Sequence, residues 1–390
     1  MPNLEKYLTI DDLMQAAKRR VPKMFFDYAD SGAWTEQTYR ANTTDFEKIF
    51  LRQKVAVNLE DRSLASTMLG QPVSMPVGIA PVGSTGMQAA DGEIKAAKAA
   101  EKFGIPFTLS TMSVCSIEDV AENTTKPFWF QLYVMRERPF IERLIDRARD
   151  AKCSALVLTM DLQILGQRHK DVRNGLIVPP KLTPKFFYEI ARKPAWALGM
   201  LGTRRHTFRN IAGHVSQATN LATLSKWTAT QFDLTLNWKD ISWIKDRFGG
   251  PVVVKGILDA EDAQHAIDHG ADAIVVSNHG GRQLDGAPST IRVLPEIVDA
   301  VGHKTEVLFD SGIRSGQDVI KALALGAKGT FIGRAMNYGL GAGGEAGVTR
   351  ALNIIQKEMD TTMALMGERD IKNVGPHNIY ANDLVRRQGY

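Results

Sequence analysis

Residues 251–277 read PVVVKGILDAEDAQHAIDHGADAIVVS, and this stretch decides the fold. Two valine-rich apolar runs, Pro251–Lys255 and Ala273–Ser277, flank a segment in which Asp259 is followed three residues later by Asp262, a signal for the start of a helix. A continuous apolar run indicates a strand buried on both faces, and a helix between two such strands indicates that they are parallel. The segment is therefore a strand-helix-strand unit of an α/β protein.

The same alternation continues in both directions along the chain. Eight apolar runs occur from residue 76 onward, at 76–81, 106–110, 128–133, 155–159, 251–255, 273–277, 306–310 and 329–333. Ser116 and Ser315 each precede a helical pattern with a carboxylate three residues later, as in a capping box. Eight strand-helix units predict a (β/α)8 TIM barrel.

Polar side chains stand where these predicted strands end. They are Gln131 and Tyr133, Thr159 and Asp161, Lys255, Ser277 and His279, Asp310, and Arg334. In a TIM barrel the loops at the C-terminal ends of the strands build the active site. We therefore expect these side chains to meet at one face of the barrel.

We predict a single domain over residues 1–390, in four parts: a helical extension over 1–75, the barrel over 76–366, a long insertion after the fourth strand over 170–237, and a C-terminal tail over 367–390. The stretch 181–214 of the insertion carries seven Lys or Arg residues and one acid, Glu189, around Phe186, Phe187, Trp196 and Leu201. Two interpretations remain open: a lid over the barrel mouth, or a peripheral contact with an anionic membrane.

The composition limits the class of protein. The chain has 390 residues, no apolar run long enough to span a bilayer, and no secretory signal at its start. Its two cysteines, Cys115 and Cys153, favour a reducing, cytoplasmic setting, either soluble or peripheral on the inner face of the cell membrane. A net charge of +5 is weak support for a small anionic partner, and without a nucleic-acid motif we expect no nucleic-acid partner.

The loop at 277–289, SNHGGRQLDGAPS, carries the strongest chemical signal. Its histidine, His279, is suited to taking up a proton near neutral pH, and Arg282 can hold a carboxylate through two parallel hydrogen bonds. The intervening glycines allow a flat ligand to approach the backbone. This combination favours the oxidation of a small hydroxy acid.

Two other motifs point to different sites. Residues 339–344, GLGAGG, formally match a dinucleotide fingerprint, but they lack a following strand-helix unit with a ribose-binding acid, so we interpret them as the glycine-rich start of the last helix. His265 and His269 are four residues apart on a predicted helix, with no third ligand suggested by the sequence. We therefore expect neither a dinucleotide fold nor a metal.

Five motifs together resemble the FMN-dependent L-2-hydroxy-acid oxidases and dehydrogenases, and most closely the bacterial respiratory L-lactate dehydrogenases. The motifs, in chain order, are residues 26–32 FDYADSG, 130–133 FQLY, 254–257 VKGI, 277–285 SNHGGRQLD, and 310–314 DSGIR with 332–334 IGR. The resemblance covers nearly the whole chain, and five motifs in order are far more specific than any one of them.

The resemblance implies a role for each matching residue. His279 would be the catalytic base, Asp161 the carboxylate paired with it, and Lys255 the cation beside the flavin. Arg168 and Arg282, with the hydroxyls of Tyr28 and Tyr133, would bind the substrate. Because Tyr28 lies in the N-terminal extension, that extension must fold over the mouth of the barrel.

The resemblance also implies FMN as the cofactor. The residues that match its binding positions are Lys255, with Ser110, Gln131, Thr159 and Ser277, for the isoalloxazine; the backbone at Ala80, Pro81 and Val82 at its reactive centre; and Asp310, Ser311, Gly312, Arg314, Gly333 and Arg334 for the ribityl chain and phosphate.

The function that the resemblance implies is oxidation of an L-2-hydroxy acid, with L-lactate to pyruvate as the leading candidate and a quinone or another respiratory carrier as acceptor. The alternatives are an oxidase that reduces oxygen to hydrogen peroxide, an enzyme for glycolate or mandelate, and a non-catalytic FMN-binding barrel. Gly83 favours a dehydrogenase over an oxidase, and Met112 replaces a tryptophan of glycolate-oxidising relatives, which predicts a larger pocket. The resemblance further implies a homotetramer.

Overall fold

The protein is described by a computed structural model that covers residues 3–175, 184–212 and 230–384, with the backbone alone at 185 and 186. In chain order its strands are β1 (Ile49–Leu51), β2 (Ser66–Met68), β3 (Gln71–Val73), β4 (Val77–Ile79), β5 (Thr108–Ser110), β6 (Trp129–Leu132), β7 (Ala155–Thr159), β8 (Val252–Ile257), β9 (Ala273–Val276), β10 (Glu306–Phe309), β11 (Gly329–Ile332) and β12 (Ile379–Asn382).

Strands β4 to β11 form a parallel barrel. The hydrogen-bonded order is β4-β11-β10-β9-β8-β7-β6-β5, and a parallel bridge between Ile79 and Phe107 joins its two ends. All eight strands coincide with the apolar runs of the sequence, so the prediction of a TIM barrel is confirmed.

Helices surround the barrel. In chain order they are α1 (Ile10–Arg20), α2 (Lys23–Ala29), α3 (Gln37–Thr44), α4 (Gly92–Phe103), α5 (Ile117–Ala121), α6 (Arg138–Asp150), α7 (His169–Arg173), α8 (Pro184–Ala191), α9 (Pro194–Leu201), α10 (Asp240–Phe248), α11 (Ala260–Asp268), α12 (Thr290–Val301), α13 (Gly316–Ala324) and α14 (Arg334–Leu365). The capping boxes at Ser116 and Ser315 are both formed, which fixes where α5 and α13 begin.

Alternation along the strands places the polar residues inside the barrel. Trp129, Val157 and Val253 belong to the cluster that fills the barrel interior, whereas their neighbours pack outward against the helices. Successive side chains of a strand point to opposite faces, so the residue two positions further on shares the inward face. Gln131, Thr159 and Lys255 therefore face the upper end of the barrel interior.

The N-terminal extension contains more than the predicted helices. Strands β2 and β3 form an antiparallel hairpin. The Met68 side chain of this hairpin packs against Gly329: a Cβ added to Gly329 would lie 2.8 Å from the Met68 methyl carbon. Strand β1 pairs with β12 of the C-terminal tail. These three-residue strands are too short to show the alternation that identifies a strand in sequence. Helix α2 carries Tyr28 to the mouth of the barrel, as expected.

The glycine-rich motif at 339–344 lies on a helix, the pair His265 and His269 lies at the end of another, and neither forms a ligand site. Residues 339–344 lie within α14, which is kinked at Gly343 and Gly344, so they form no loop around a phosphate. Nδ1 of His269 lies 2.8 Å from the carbonyl oxygen of His265. Across the described ranges, no three His, Cys, Asp or Glu side chains are grouped as metal ligands, and no helix is long and apolar enough to cross a membrane.

Candidate active site

A cavity of about 600 Å³ opens at the C-terminal ends of the barrel strands. Its walls come from the strand ends, from α2, and from the described part of the insertion. The predicted residues that line it are Tyr28, Ala80, Pro81, Val82, Tyr133, Arg168, Lys255, His279, Arg282, Asp310, Ser311, Gly312, Arg314, Gly333 and Arg334. One cavity thus brings together groups from opposite ends of the chain.

His279 and Asp161 form a partly buried pair, with side chains 17% and 14% exposed. Nδ1 of the imidazole lies 2.9 Å from Oδ1 of Asp161. Asp161 can approach so closely because Gly256, with a φ of +106°, has no Cβ, which would lie 2.7 Å from that of Asp161. His279 itself adopts a φ of +57°, a left-handed conformation that turns its ring away from the strand.

The environment adjusts both pKa values. Burial lowers the pKa of His279 although the Asp161 carboxylate raises it, so the imidazole is neutral at pH 7. Burial raises the pKa of Asp161, but His279 and Lys255 outweigh it and the pKa is lowered overall. Since the ionised carboxylate accepts from Nδ1, the lone pair of Nε2 faces the cavity, where the Tyr133 hydroxyl lies 3.3 Å away.

Two guanidinium groups supply positive charge beside this pair. Nη1 of Arg282 donates to the carbonyl oxygens of Tyr28 and Ser31, at 2.5 and 3.2 Å, and the group stacks over the Tyr28 ring with its carbon 4.8 Å from the ring centre. Arg168 is half-buried, and desolvation together with Arg282 lowers its pKa to about 10. Its Nε has no hydrogen-bond partner in the part of the chain that the structure describes. The arrangement favours an anion between the two arginines.

The deeper wall of the cavity carries a second set of polar groups. Nζ of Lys255 lies 2.9 Å from the Ser277 hydroxyl and 3.2 Å from Asp310 Oδ2. The Ser110 hydroxyl donates to Oε1 of Gln131 at 2.9 Å, which leaves the amide Nε2 of Gln131 directed elsewhere.

A third group lies where β10 and β11 end. Ser311 and Gly312 have φ values of +81° and +101°, and a Cβ on Gly312 would lie 1.9 Å from the carbonyl oxygen of Asn42. Arg314 follows on the loop after β10, and Gly333 precedes Arg334, the first residue of α14. Backbone amides at a helix start next to two arginines favour a phosphate.

The sequence of the chain matches the model of a known family. The model described as FMN-dependent dehydrogenase matches residues 17–381. The chain belongs to the FMN-dependent dehydrogenase family.

Relatives of known name agree with this membership. An L-lactate dehydrogenase of Azorhizobium caulinodans is 48% identical over 366 residues, with 93% of this chain and 96% of the relative covered. One from Ectopseudomonas mendocina is 46% identical over 364 residues, again with 93% and 96% covered. The structure also resembles that of a monotopic membrane protein, (S)-mandelate dehydrogenase, with a TM-score of 0.91, 36% identity, and 95% and 98% of the two chains covered.

FMN, the cofactor of this family, fits the polar groups of the cavity. Two buried atoms, Nε2 of Gln131 and Oγ1 of Thr159, have no hydrogen-bond partner among the described residues. Leaving buried polar atoms unpaired costs about 1–3 kcal/mol each. Both belong to strands whose inward faces end at the cavity, where the carbonyl and N–H groups of an isoalloxazine could satisfy them. A bound FMN would therefore supply hydrogen-bond partners for polar atoms that the described residues leave unpaired.

The structure adds residues to the site that the sequence did not indicate. The cavity wall includes Asp171, Trp196, Phe208 and Phe232, and Asp30 binds the hydroxyls of Tyr39 and Tyr338 near the arginines. Asp30 lies within the 26–32 motif, which is the one signal that could have identified it. The aromatic residues belong to the insertion at 170–237. The sequence of this segment has no periodic pattern that would predict how it folds over the barrel.

Proposed function

We propose that this enzyme oxidises L-2-hydroxy acids, with L-lactate converted to pyruvate, and passes the electrons to a quinone or another respiratory acceptor. The observation that carries the proposal is the partly buried His279–Asp161 pair, whose imidazole lines one cavity with Arg168 and Arg282. The cavity thus offers a base and an anion clamp next to groups that suit a flavin. The names of the relatives support L-lactate as the substrate.

In this proposal the substrate carboxylate binds between Arg168 and Arg282. Burial makes each charge-assisted hydrogen bond stronger than at the surface. The Tyr28 ring under Arg282 limits the motion of the guanidinium, and the Tyr28 hydroxyl completes the pocket. An anion would also relieve the repulsion between the two arginines. The carboxylate therefore orients the C2 carbon toward His279.

His279 then takes up a proton from the substrate. A neutral imidazole whose Nδ1–H is held by Asp161 presents a lone pair at Nε2, and the imidazolium that forms is stabilised by the same carboxylate. The Tyr133 hydroxyl, 3.3 Å from Nε2, positions the substrate oxygen at that atom. Burial raises the pKa of Tyr133, so it remains a hydrogen-bond donor at all physiological pH values.

A bound FMN would supply the two-electron acceptor: it would take the electron pair and the second hydrogen that the 2-hydroxy acid loses, while His279 holds the first hydrogen as a proton. We assign the isoalloxazine to Ser110, Gln131, Thr159, Lys255 and Ser277, with the backbone of residues 80–82 along its reactive edge. We assign the ribityl chain and phosphate to residues 310–314, 333 and 334. Lys255, which is only 5% exposed, would supply a positive charge beside the isoalloxazine and so favour its reduced, anionic form.

Aryl 2-hydroxy acids are a second candidate substrate class. The wall of the cavity that contains His279 includes the apolar side chains of Met112, Leu162, Leu165 and Phe232, and its volume of about 600 Å³ is larger than lactate needs. The resemblance to mandelate dehydrogenase supports this candidate. Initial rates with L-lactate, glycolate and (S)-mandelate at a fixed acceptor concentration discriminate between the classes. A kcat/KM for (S)-mandelate above that for L-lactate would contradict the proposed substrate.

The acceptor is tested with the same enzyme. We expect rapid turnover with a soluble quinone and slow turnover with oxygen, measured as hydrogen peroxide. Equal rates with both acceptors would make the enzyme an oxidase instead. We also retain the proposal of a homotetramer, which the mass of the native protein in solution tests.

Helix α9 of the insertion has one face toward the cavity, as a lid would, and an exposed apolar face that could contact a membrane. Trp196 and Met200 line the cavity, and Trp196 stacks on Phe25 with ring centres 5.4 Å apart. Leu198 and Leu201, by contrast, are 69% and 82% exposed. We propose that this outer face, together with α8, inserts into the surface of an anionic membrane where the quinone is dissolved.

The seven cations expected in this patch have different environments, and Lys193 donates to the carbonyl oxygen of Arg19. Arg205 and Arg209 form ion pairs with Asp119, so they anchor the insertion to the barrel instead of facing lipid. Arg204 is exposed, and Arg192 stacks over the Tyr188 ring. Lys181 lies outside the described residues, as do the side chains of Lys185 and Phe186. The patch thus has fewer free cations than the sequence suggests.

Co-sedimentation with vesicles of phosphatidylglycerol and phosphatidylethanolamine tests the contact. We expect the wild type to bind more weakly at high salt, and the double variant Leu198→Glu/Leu201→Glu to lose binding. The variant Leu8→Glu, at a leucine that is 69% exposed elsewhere on the surface, is the matched control. Absence of binding by the wild type would leave this segment as a lid only.

A further inference from the structure

The segment from Tyr28 to Ser31 lies between two arginines of the cavity. Arg282 donates to the carbonyl oxygens of Tyr28 and Ser31. Arg334 donates through Nε to the carbonyl oxygen of Ala29, at 3.1 Å, and through Nη2 to that of Ser31, at 2.8 Å. One arginine stands at the proposed substrate carboxylate and the other at the proposed phosphate. The backbone that carries Tyr28 is therefore attached to both positions.

The side chain of Asp30, in the middle of this segment, connects it to the phosphate position by a second route. Its Oδ1 accepts hydrogen bonds from the hydroxyls of Tyr39 and Tyr338, both at 2.7 Å. Tyr39 comes from α3 and Tyr338 from α14. The guanidinium carbon of Arg334 lies 4.6 Å from the Tyr39 ring centre, and that of Arg314 lies 5.7 Å from the Tyr338 ring centre. The carboxylate thus orients the two rings on which the arginines rest.

The two arginines repel each other, and Asp30 and Asp318 are the carboxylates that act on Arg314. Besides the rings, the contacts of their guanidinium groups include the neutral carbonyl oxygens of Ile313, Ala29 and Ser31. Burial, reinforced by Arg314, lowers the pKa of Arg334. Burial also disfavours the charge of Arg314, but the neighbouring tyrosines and carboxylates outweigh it and its pKa is raised, so the repulsion falls on Arg334. A dianion between the two groups would remove this repulsion and hold Arg334 against residues 29–31. The phosphate position and the substrate segment are therefore mechanically and electrostatically linked.

We propose that Asp30 is a positioning residue that couples the two ends of the site: a dianion bound by Arg314 and Arg334 orders residues 26–34 and so places Tyr28 for the substrate. This proposal rests on the assignment of the FMN phosphate to Arg314 and Arg334. The contribution of Asp30 is transmitted by the hydroxyls of Tyr39 and Tyr338. Substrate affinity then depends on the phosphate of the cofactor, which lies at the far end of the cavity.

Removal of the two hydroxyls tests the coupling while the aromatic rings remain. In the double variant Tyr39→Phe/Tyr338→Phe we expect the Kd for FMN to rise about tenfold, as for loss of hydrogen bonds to a charged group. We expect the KM for L-lactate to rise roughly fivefold while kcat at saturating FMN stays within about twofold. The matched control is Tyr380→Phe, at an exposed tyrosine whose ring contacts Arg52.

These outcomes separate the coupling from the proposed function. If the wild type binds FMN but is not reduced by L-lactate, the proposed function fails and the coupling is judged from hydrogen exchange, which needs no substrate. If the wild type is reduced and the double variant has a wild-type KM, the coupling is wrong. If the double variant does not fold, Asp30→Asn replaces it, since asparagine keeps an acceptor oxygen and loses the charge. For Asp30→Asn we expect smaller increases in the Kd for FMN and the KM for L-lactate.

Amide hydrogen exchange compares the full-length chain with FMN, with riboflavin, and with riboflavin plus inorganic phosphate. We expect exchange at residues 26–34 to be slow with FMN, fast with riboflavin, and slow again when phosphate is added. In the double variant the phosphate effect should disappear. Equal exchange of this segment with FMN and with riboflavin in the wild type would overturn the proposal.

Discussion

Replacement of Asp161 by asparagine isolates the charge of the proposed catalytic pair. Asparagine keeps the shape and an oxygen that can accept from Nδ1 of His279, 2.9 Å away in the wild type, so only the negative charge is lost. A buried hydrogen bond to a charged group contributes about 1.5–3 kcal/mol. Because the imidazolium exists only after proton uptake, this loss falls on the transition state. We expect kcat/KM for L-lactate to fall roughly 10- to 150-fold.

The pH dependence gives the sign of the effect. Burial lowers the pKa of His279 and Asp161 raises it, so removing the carboxylate charge lowers this pKa further. The imidazole must be neutral to act as a base, and activity is lost as the pH falls through its pKa. The acid limb of the kcat/KM profile should therefore move to lower pH in Asp161→Asn, while the plateau falls because the base is weaker.

The assay is the pH profile of kcat/KM between pH 4.5 and pH 9 on enzyme saturated with FMN. Asp299→Asn, at an exposed position on α12, is the matched control and should leave both the plateau and the limb unchanged. A plateau within twofold of the wild type, or an acid limb that moves to higher pH, would refute the assignment of Asp161 as the partner of the base.

Three further substitutions test other parts of the site. His279→Gln should retain FMN and lose about 10²–10⁴-fold in turnover, because an amide does not accept the proton; near-normal flavin reduction by L-lactate would exclude His279 as base. Arg282→Lys should cost roughly 1.5–3 kcal/mol in kcat/KM, since an ammonium cannot form the two-point clamp; unchanged kinetics would exclude the carboxylate role. Gly256→Ala should lower stability by about 1–3 kcal/mol in urea unfolding, because its φ is +106° and the Cβ would meet Asp161; unchanged stability would contradict that contact.

The barrel could be predicted because its signals are local. Each strand shows as a short apolar run, and the polar residue at its end follows from alternation, so the sequence by itself assigns Gln131, Thr159 and Lys255 to one face of the barrel. His279 and Asp161, 118 residues apart, are paired in the sequence only through the family resemblance, and the structure places them in contact.

The remaining contacts depend on how distant segments fold over the barrel. Trp196 stands among cations in the sequence and resembles a surface aromatic, yet its indole N–H donates to the carbonyl oxygen of Met87, 109 residues away. Tyr338 reaches Asp30 across 308 residues, with no pattern in the sequence to indicate it. Strand β1 finds its partner at the opposite end of the chain. Such contacts are set by tertiary packing, which no local period encodes.

Anaerobic reduction of the purified enzyme by the two enantiomers of lactate tests the central claim most directly. The bound flavin is followed by its visible absorbance, and pyruvate is measured in the same solution. We predict that L-lactate bleaches the flavin and yields about one pyruvate per FMN, whereas D-lactate does not, because the carboxylate clamp and His279 accept a single configuration at C2. A flavin that stays oxidised with L-lactate, or bleaches equally with both enantiomers, would contradict the account.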